Sequence, residues 1–357
     1  MITISLCMIV RDESQVLARC LDSVKDAVDE IIIVDTGSLD NTKEIALRYT
    51  QKVYDFPWIE DFSAARNFSF SKGGSDFLMW LDADDIMTNQ NLLKLKKLKE
   101  ELTAQTAAVY MLYNVAFNDA GEPTFSFYRE RLVNRLFNPL WQDPVHETIE
   151  VIGQKIYSDI EVEHRKIKAP ATGRNLKILQ AQMQKGKAAP RTRFYYAREL
   201  MFNEKIEQAI AVFEDYLHSG QGWFENQLTA ARDLSFCYER AGDAKMALKS
   251  ALLGLSYAPP RGELLCRIGE LFLKEQRLQE AKYWYERALD CALPQNALGF
   301  VEKDYYGYVP ALQLCVICDK LKDYKEAQKY NERAGAFKPS SPQYLYNKKY
   351  FESLKGK

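Results

Sequence analysis

The 357-residue sequence predicts an α/β domain with a mostly parallel sheet, followed by an all-α domain of helical repeats. In the first half, short apolar runs alternate with segments whose apolar residues have helical spacing. This alternation is typical of a sheet covered by helices on both faces. In the second half, one pattern of small and aromatic residues returns at intervals of 38, 34 and 46 residues. We place the first domain at residues 1–168, a linker with a helix at 169–192 and the repeats at 193–357.

The apolar runs of the first half are predicted strands, and the amphipathic segments between them are predicted helices. The strands are expected over Ile4–Val10, Ile31–Val34 and Phe77–Leu81, and the helices over Ser14–Val24, from about Asn41 and over Leu92–Leu102. The second run ends at Asp35 and the third at Asp82. Because ligands bind outside the carboxyl ends of the strands in such sheets, we expect the functional site at this edge.

An alanine marks each repeat of the second half, with a small residue twelve positions before it and a packing residue four positions after it. The alanines are Ala209, Ala247, Ala281 and Ala327; the small residues are Ala197, Ser235, Gly269 and Cys315; the packing residues are Phe213, Ala251, Tyr285 and, as a weaker match, Asn331. A 34-residue helix-turn-helix unit of this kind resembles the tetratricopeptide repeat. The larger insertion is expected around Gln295–Tyr308, and an unrelated helical bundle is the alternative.

Composition excludes several classes of partner and location. Lys and Arg number 48 against 49 Asp and Glu, and a nearly neutral chain is a poor candidate for nucleic-acid binding. The apolar run Leu6–Val10 stops at Arg11, so no membrane segment is expected. The start of the chain lacks the features of a signal peptide. Seven scattered cysteines in apolar surroundings favour a reduced, cytoplasmic chain.

The segment Trp80–Asp85 carries three carboxylates, Asp82, Asp84 and Asp85, at the end of a predicted strand. Like charges repel one another, and each loses hydration when it is partly buried. A divalent cation resolves this conflict, and Mn²⁺ or Mg²⁺ commonly bridges carboxylates to substrate phosphates. The segment therefore predicts a metal–diphosphate site, with a solvated turn as the alternative.

Two further segments have side chains suited to a nucleotide. Asp35 is positioned to hydrogen-bond a base or a ribose, although it is also suited to capping the following helix. Arg66 lies in the segment Asp61–Asn67 and supplies a permanent cation for a diphosphate, with a surface ion pair as the alternative. Arg129, Arg131 and Arg135 alternate along an apparent strand, where every second residue shares a face. This face is expected either to approach the donor or to be an exposed charged surface.

Over about residues 2–150 the sequence resembles the family 2 glycosyltransferases, which have the Rossmann-like GT-A fold. The matching motifs are Ser5–Glu13, Val34–Ser38, Asp61–Asn67 and Trp80–Asp84, in that order. With its repeat-like second half, the chain resembles more narrowly the branch of the sublancin-type peptide S-glycosyltransferases and related protein glycosyltransferases. The sequence departs from the family at Asp12, where many relatives have Asn, and at Thr36, where many have a second Asp.

The resemblance implies an inverting transfer from a nucleotide sugar, expected to be a UDP-hexose or UDP-N-acetylhexosamine. It implies that the donor is bound by a set of charged residues, Arg11, Glu13, Asp35, Arg66 and Asp82. It also implies a bound Mn²⁺ or Mg²⁺, with Asp84 as the direct ligand and Asp82 beside it. The acceptor is expected to be a Ser, Thr or Cys side chain of a peptide or protein held by the helical repeats.

An inverting transfer also needs a general base that removes the proton of the acceptor. The segment Trp141–Glu147 offers Asp143 and Glu147 as candidates, and Asp85 is a third. His146 is expected to complete the metal shell or to bind phosphate. The alternative for this segment is a histidine at a strand end with flanking solvated acids.

Nine Lys and Arg residues lie between Arg165 and Arg193. They are expected either to face an anionic partner or the donor diphosphate, or to belong to a solvated linker helix, which the sequence favours. Two other functions compete with protein glycosylation: glycosyl transfer to a surface polysaccharide or lipid-linked glycan, and a non-enzymatic repeat scaffold with a sugar-nucleotide-binding domain. Repeat domains often pair, so a homodimer is also among the expectations.

Overall fold

The structure is a computed structural model that describes residues 2–118, 121–167, 173–186, 188–294 and 301–355. The described residues divide into two compact units, the first ending at Gln182 and the second beginning at Met183. The predicted boundary at residue 168 lies outside the described residues, as do Gln295–Phe300 of the expected insertion. The limits proposed for the domains therefore stay a prediction.

The first unit contains strands and helices in alternation. Its strands are β1 (Ile4–Val10), β2 (Glu30–Asp35), β3 (Val53–Asp55), β4 (Phe77–Met79), β5 (Asp85–Ile86), β6 (Thr106–Phe117), β7 (Pro123–Asn134), β8 (Trp141–Gln142), β9 (Thr148–Ile149) and β10 (Gln154–His164). Its helices are α1 (Leu17–Val24), α2 (Thr42–Ala46), α3 (Phe62–Ser71) and α4 (Asn89–Glu101), and α5 (Arg174–Gln184) follows them.

Eight strands form one sheet in the order β3-β2-β1-β4-β7-β6-β10-β5. Strands β1 to β4, β6 and β10 run in one direction, whereas β7 and β5 run in the opposite direction. The mostly parallel sheet expected from the sequence is thus confirmed. From β1 the chain continues to β2 and β3 on one side, and it then returns to β4 on the other side of β1. The direction of the connections therefore changes between β1 and β4, and α/β sheets bind ligands at such a point.

The alternation of side chains along β1 produces a core on each face of the sheet. Ile4, Leu6 and Met8 are buried in one hydrophobic cluster with Leu17 and Leu21 of α1. Cys7 points to the opposite face and belongs to a second cluster with Phe70 of α3. Both faces are therefore covered, which explains why β1 is a continuous apolar run.

Helix α1 begins at Leu17, three residues later than the sequence predicts. The intervening residues form a turn, and Asp12, two residues before it, has a left-handed backbone with φ of 54°. Asp12 N donates to Ser38 Oγ (2.9 Å), and Glu13 N donates to Thr42 Oγ1 (2.7 Å). Asn and Asp tolerate this conformation better than other residues with a side chain, so Asp fits where many relatives have Asn.

The second unit consists of helices that pack as consecutive pairs. These helices are α6 (Pro190–Phe202), α7 (Ile206–His218), α8 (Phe224–Arg240), α9 (Ala244–Leu253), α10 (Gly262–Lys274), α11 (Leu278–Leu289), α12 (Tyr308–Lys320), α13 (Tyr324–Phe337) and α14 (Pro342–Lys355). Helix α6 packs against α7, α8 against α9, α10 against α11, and α12 against α13. The unit is therefore a tetratricopeptide-like stack of helix pairs.

The small residues of the repeat pattern are buried between the paired helices. Ala209, Ala247, Ala281 and Ala327 are fully buried on the second helix of each pair. Gly269 on α10 faces Tyr285 on α11 so closely that an added Cβ would lie 3.0 Å from the ring. The expected role of these positions in helix packing is thus confirmed. Within the described ranges, every helix is too short or too polar to cross a membrane.

Candidate active site

A cleft of about 930 Å³ opens at the carboxyl ends of the parallel strands. Its walls come from the segments that follow β1, β2 and β4, from the start of α3 and from the residues before β9. Seven of the predicted site residues line it, namely Arg11, Glu13, Arg66, Asp82, Asp84, His146 and Glu147. Segments distant in sequence thus meet at the edge expected for a ligand site.

Arg66 connects two carboxylates on the wall of the cleft. Its Nε donates to Glu147 Oε1 (2.7 Å), and its Nη2 donates to Asp82 Oδ1 (2.7 Å). The guanidinium also lies 4.8 Å from the ring centroid of Trp80 and 4.9 Å from that of Trp141. Arg66 is buried on α3, so its planar group is held in one orientation by aromatic and acidic neighbours.

These ion pairs keep both partners charged. Burial alone would lower the pKa of Arg66, but Asp82 and Glu147 raise it above its ordinary value. Burial likewise would raise the pKa of Asp82, yet Arg66 and Arg131 lower it to about 2. Opposite charges at short distance outweigh the loss of hydration here. Asp82 is therefore ionised at neutral pH, as a metal or ribose ligand needs to be.

Asp85 lies beneath the cleft and has no exposed surface. Its Oδ2 accepts from Asp82 N (2.9 Å) and lies 3.0 Å from Arg131 Nη1, and its Oδ1 accepts from Tyr113 OH (2.9 Å). Arg131 is also fully buried, stacked 3.8 Å from the ring centroid of Trp80. The sequence offered Asp85 as a base; the structure buries its carboxylate under the acidic cluster, in contact with Arg131 and Tyr113.

Asp84 lies beside a histidine that the sequence analysis did not single out. His164 Nδ1 is 3.3 Å from Asp84 Oδ1, 3.2 Å from Asp85 Oδ1 and 2.9 Å from Tyr113 OH. Burial alone would lower the pKa of His164, but hydrogen bonds with Asp84 and Asp85 raise it to about 10. His164 arrives there because β10 pairs with β5, which sets it opposite Asp85.

The donor set of this cluster fits a divalent ion. Asp84, Asp85 and His164 each offer one ligand atom, and these atoms lie within 4.8 Å of one another. Carboxylate oxygens are the ligands that Mg²⁺ and Mn²⁺ prefer in proteins. His146 lines the same cleft, but in the described part of the chain it is His164 that stands beside Asp84.

Asp35 lies at the end of β2, and its two carboxylate oxygens have different surroundings. Its Oδ1 accepts from Gly37 N and Ser38 N, both at 2.9 Å. Its Oδ2 is buried and has no hydrogen-bond partner within the described ranges. Thr36, the next residue, lines the cleft. A buried acceptor without a donor is costly in a protein alone, so this oxygen suits a ligand hydroxyl or amine.

The two other predicted bases differ in their access to the cleft. Glu147 lines it, held by Arg66, and its backbone oxygen lies 3.4 Å from Arg129 Nη2. Asp143 has a left-handed backbone with φ of 68° and is not among the described residues of the cleft wall. Arg129 also lines the cleft and lies 4.8 Å from the Trp80 ring centroid. Of the two acids, Glu147 is the one placed to meet a substrate.

Comparison with known proteins connects this geometry to a family. Residues 5–152 match the sequence profile of Glycosyl transferase family 2. A TPR repeat-containing protein of Synechococcus elongatus is 38% identical over 150 residues, 42% of this chain and 36% of that protein. The prophage-derived glycosyltransferase SunS of Bacillus subtilis is 28% identical over 236 residues, 60% of this chain and 52% of that protein. The matched region thus spans about a third to a half of these relatives.

Solved structures similar to this chain include repeat proteins. MamA aligns with a TM-score of 0.37 and 16% identity over 45% of this chain and 84% of that one. YrrB, described as a TPR protein with an unusual peptide-binding site, aligns with a TM-score of 0.38 and 16% identity over 50% and 84%. Residues 5–152, which carry most of the sheet and the acidic cluster at its edge, thus match Glycosyl transferase family 2 as an N-terminal domain of this chain.

Proposed function

We propose that the protein is an inverting, metal-dependent glycosyltransferase that acts on polypeptides. It would move a hexose or N-acetylhexosamine from a UDP-sugar to a Ser, Thr or Cys side chain. The observation that carries this proposal is the position of Asp84, beside Asp82 and His164, in an open cleft of a family 2 domain. An acidic cluster at this edge of the sheet is suited to bind the diphosphate of a donor through a cation.

The nucleoside would lie over the ends of β1 and β2. The Oδ2 of Asp35, which has no hydrogen-bond partner in the described part of the chain, would accept from a ribose hydroxyl or a base amine. Arg11 and Glu13 line the cleft on the segment that follows β1. Thr36 stands where many relatives have a second Asp. The proposal that the donor nucleotide contains uracil therefore rests on the resemblance of the other motifs.

The polar residues of the cleft would have different roles in the transfer of the sugar. Asp84, Asp85 and His164 would hold Mn²⁺ or Mg²⁺, with Asp82 beside them on the cleft wall, and His164 would release its proton on coordination. When bound, the ion would neutralise charge that develops on the leaving diphosphate. Glu147 would accept the proton of the acceptor as it attacks from the face opposite the leaving group. Arg66 would orient Glu147, and His146 would contact phosphate.

The second unit would bind the polypeptide acceptor. Stacked helix pairs form extended surfaces that commonly bind peptides, and the second unit is such a stack. The similarity to the glycosyltransferase SunS covers 60% of the chain and supports a related role. Transfer to a polysaccharide or a lipid-linked glycan would use the same donor site and is distinguished by the acceptor.

The test is an acceptor screen with the full chain. The protein, Mn²⁺ and UDP-glucose or UDP-N-acetylglucosamine are incubated with polypeptides rich in Ser, Thr and Cys, and masses are recorded. We expect a gain of one hexose or one N-acetylhexosamine that is lost with EDTA and with Asp84→Asn. In parallel, oligosaccharide and lipid extracts serve as acceptors. Transfer to these glycans, with no transfer to any polypeptide, would contradict the proposed acceptor.

A further inference from the structure

The cations of the cleft fall into two groups. Arg66 is paired with Asp82 and Glu147, and Arg129 is paired with Glu130 (3.2 Å). Three other cations line the same cleft, namely Arg11, Lys166 and Arg174, and none of them has a carboxylate partner in the described part of the chain. Positive charge that is left over in a concave site attracts anionic ligands.

Lys166 belongs to a backbone segment that is fixed beside the acidic cluster. Arg165 N donates to Asp84 O (2.9 Å), and Arg165 O accepts from Arg19 Nη2 (2.7 Å). The side chain of Arg165 is itself engaged by Glu163 (2.8 Å). The next residue along the chain, Lys166, therefore brings an uncompensated charge into the cleft close to Asp84.

Arg174 brings a second such charge from the first residue of α5. Its guanidinium lies 4.8 Å from the ring centroid of Phe62, which begins α3 and also lines the cleft. Phe62 N donates to Pro144 O (2.8 Å), so this contact joins α5, α3 and the segment before β9. The ring covers one face of the guanidinium and leaves its N–H groups for a ligand.

We propose that Lys166 and Arg174 bind the diphosphate of the nucleotide donor, together with the ion held at Asp84. The inference rests on the proposed function and deepens it, because it assigns the phosphate contacts to residues outside the motifs of the family 2 domain. The diphosphate of a nucleotide sugar carries two negative charges and gains a further one as it leaves, so a single divalent ion does not balance the charge of the leaving group. Lysine supplies a compact charge for phosphate, and arginine supplies paired donors.

This assignment separates these two residues from the rest of the basic stretch between Arg165 and Arg193. Lys177 is on the same helix as Arg174, is exposed, and is not among the described residues of the cleft wall. Replacing Lys177 with alanine changes the net charge by the same amount as Lys166→Ala or Arg174→Ala, but it leaves the cleft wall unchanged. Lys177→Ala is therefore the matched control, since it reports any general effect of charge on the binding of anions.

The experiment measures nucleotide affinity by calorimetry with the full chain and Mn²⁺. Wild type, Lys166→Ala, Arg174→Ala and Lys177→Ala are titrated with UDP and with uridine, and with GDP and guanosine as a second pair. We expect Lys166→Ala and Arg174→Ala each to weaken the affinity for the bound diphosphate by about tenfold or more. Affinity for the nucleoside and all affinities of Lys177→Ala should stay within about twofold of wild type.

Several outcomes would overturn the assignment in distinguishable ways. Unchanged diphosphate affinity in both variants would refute it while leaving the proposed function intact. An equal loss for nucleoside and diphosphate would show that the residues shape the pocket without contacting phosphate. Normal diphosphate affinity with reduced transfer would assign them to the acceptor instead. A folded wild type that binds none of the four ligands would overturn the proposed function and this inference with it.

Discussion

Asp84 and Asp85 are neighbours in sequence but lie in different environments. The side chain of Asp84 is 19% exposed and lines the cleft, whereas that of Asp85 is fully buried against Arg131. The same change from carboxylate to amide should therefore have different effects at the two positions. At Asp84 it removes a charge needed by a ligand, and at Asp85 it removes a charge needed by the protein.

For Asp84→Asn we expect turnover to fall by about 100-fold or more, because even residues behind a metal ligand cost up to that much when changed. The free energy of unfolding should change by less than about 1 kcal/mol, since the residue is partly exposed and packs little. Turnover with UDP-sugar and urea unfolding check the two parts. Wild-type turnover from this variant would remove Asp84 from the site.

For Asp85→Asn we expect the free energy of unfolding to fall by about 3 to 5 kcal/mol, because Arg131 is left buried without its counter-charge. Urea unfolding measures this loss. The double variant Asp85→Asn with Arg131→Met should be less destabilised than the two single losses added together, since it removes both charges. A loss below about 1 kcal/mol for the single variant would contradict the buried ion pair of Asp85 with Arg131.

The sequence alone was enough to predict those residues of the candidate site that lie at or just after the end of a strand. Asp35 and Asp82 each come at the end of an apolar run, Asp84 follows two residues after Asp82, and this local pattern places them at one edge. His164 has no such signal, because it reaches Asp84 only through the pairing of β10 with β5. The alternation of Arg129 and Arg131 indicated a shared face, but it did not reveal that Arg131 is buried beneath Trp80.

At the scale of elements, Glu30 connects the starts of three strands. It begins β2, accepts hydrogen bonds from Ser5 Oγ on β1 and from Gly74 N before β4 (2.8 Å), and pairs with Lys52. Burial alone would raise the pKa of Glu30, but Lys52 and Ser5 lower it below its ordinary value. A lowered folded pKa means that stability is gained above the unfolded pKa and lost as pH falls through the folded one.

We therefore expect Glu30→Gln to lower the free energy of unfolding by about 1 to 2 kcal/mol near pH 7. The difference from wild type should shrink below the ordinary glutamate pKa of about 4.3 and be small near pH 3. Urea unfolding at pH 7 and pH 3 measures the difference in unfolding free energy between wild type and Glu30→Gln. Glu100→Gln, on the exposed surface of α4, is the control. A difference that is the same at both pH values would contradict the role of its charge.

Gly335 on α13 is in close contact with Tyr344 on α14. An added Cβ would overlap the tyrosine ring, and Tyr344 is itself buried. Alanine is the better helix former by about 1 kcal/mol, but overlap in a packed interface costs about 1 to 3 kcal/mol. Gly335→Ala should thus destabilise the chain in urea unfolding. In a Tyr344→Leu background it should become neutral or stabilising, and a stabilising effect in the wild-type background would refute the close contact.

The elements with regular apolar periodicity were predictable, and the others were not. Strands β1 and β2 match their predicted runs within one residue, because each is buried on both faces. The long strands β6 and β10 were not located, since β10 alternates with exposed polar residues and pairs with partners distant in sequence. The helix pairs of the second unit followed from small residues that recur at repeat intervals.

In the whole molecule, the proposed sites for donor and acceptor belong to different units. The cleft proposed to bind the donor is built from residues of the first unit, and the helical stack of the second unit is the proposed surface for the polypeptide. A chain that ends near residue 190 should therefore bind nucleotide as the full chain does, provided that it folds, but it should lose transfer to polypeptides. Transfer at normal efficiency by the short chain would show that the repeats do not recognise the acceptor.

Metal-dependent binding of a nucleotide sugar is tested by calorimetry of the full chain with UDP, UDP-glucose, UDP-N-acetylglucosamine and GDP-mannose. Each ligand is titrated once with Mn²⁺ and once with EDTA. We expect that the uridine nucleotides bind in Mn²⁺, that EDTA abolishes this binding, and that Asp84→Asn binds them weakly in either buffer. Binding that is equally tight in EDTA would contradict the metal site, and a folded protein that binds none of the four would contradict the glycosyltransferase itself.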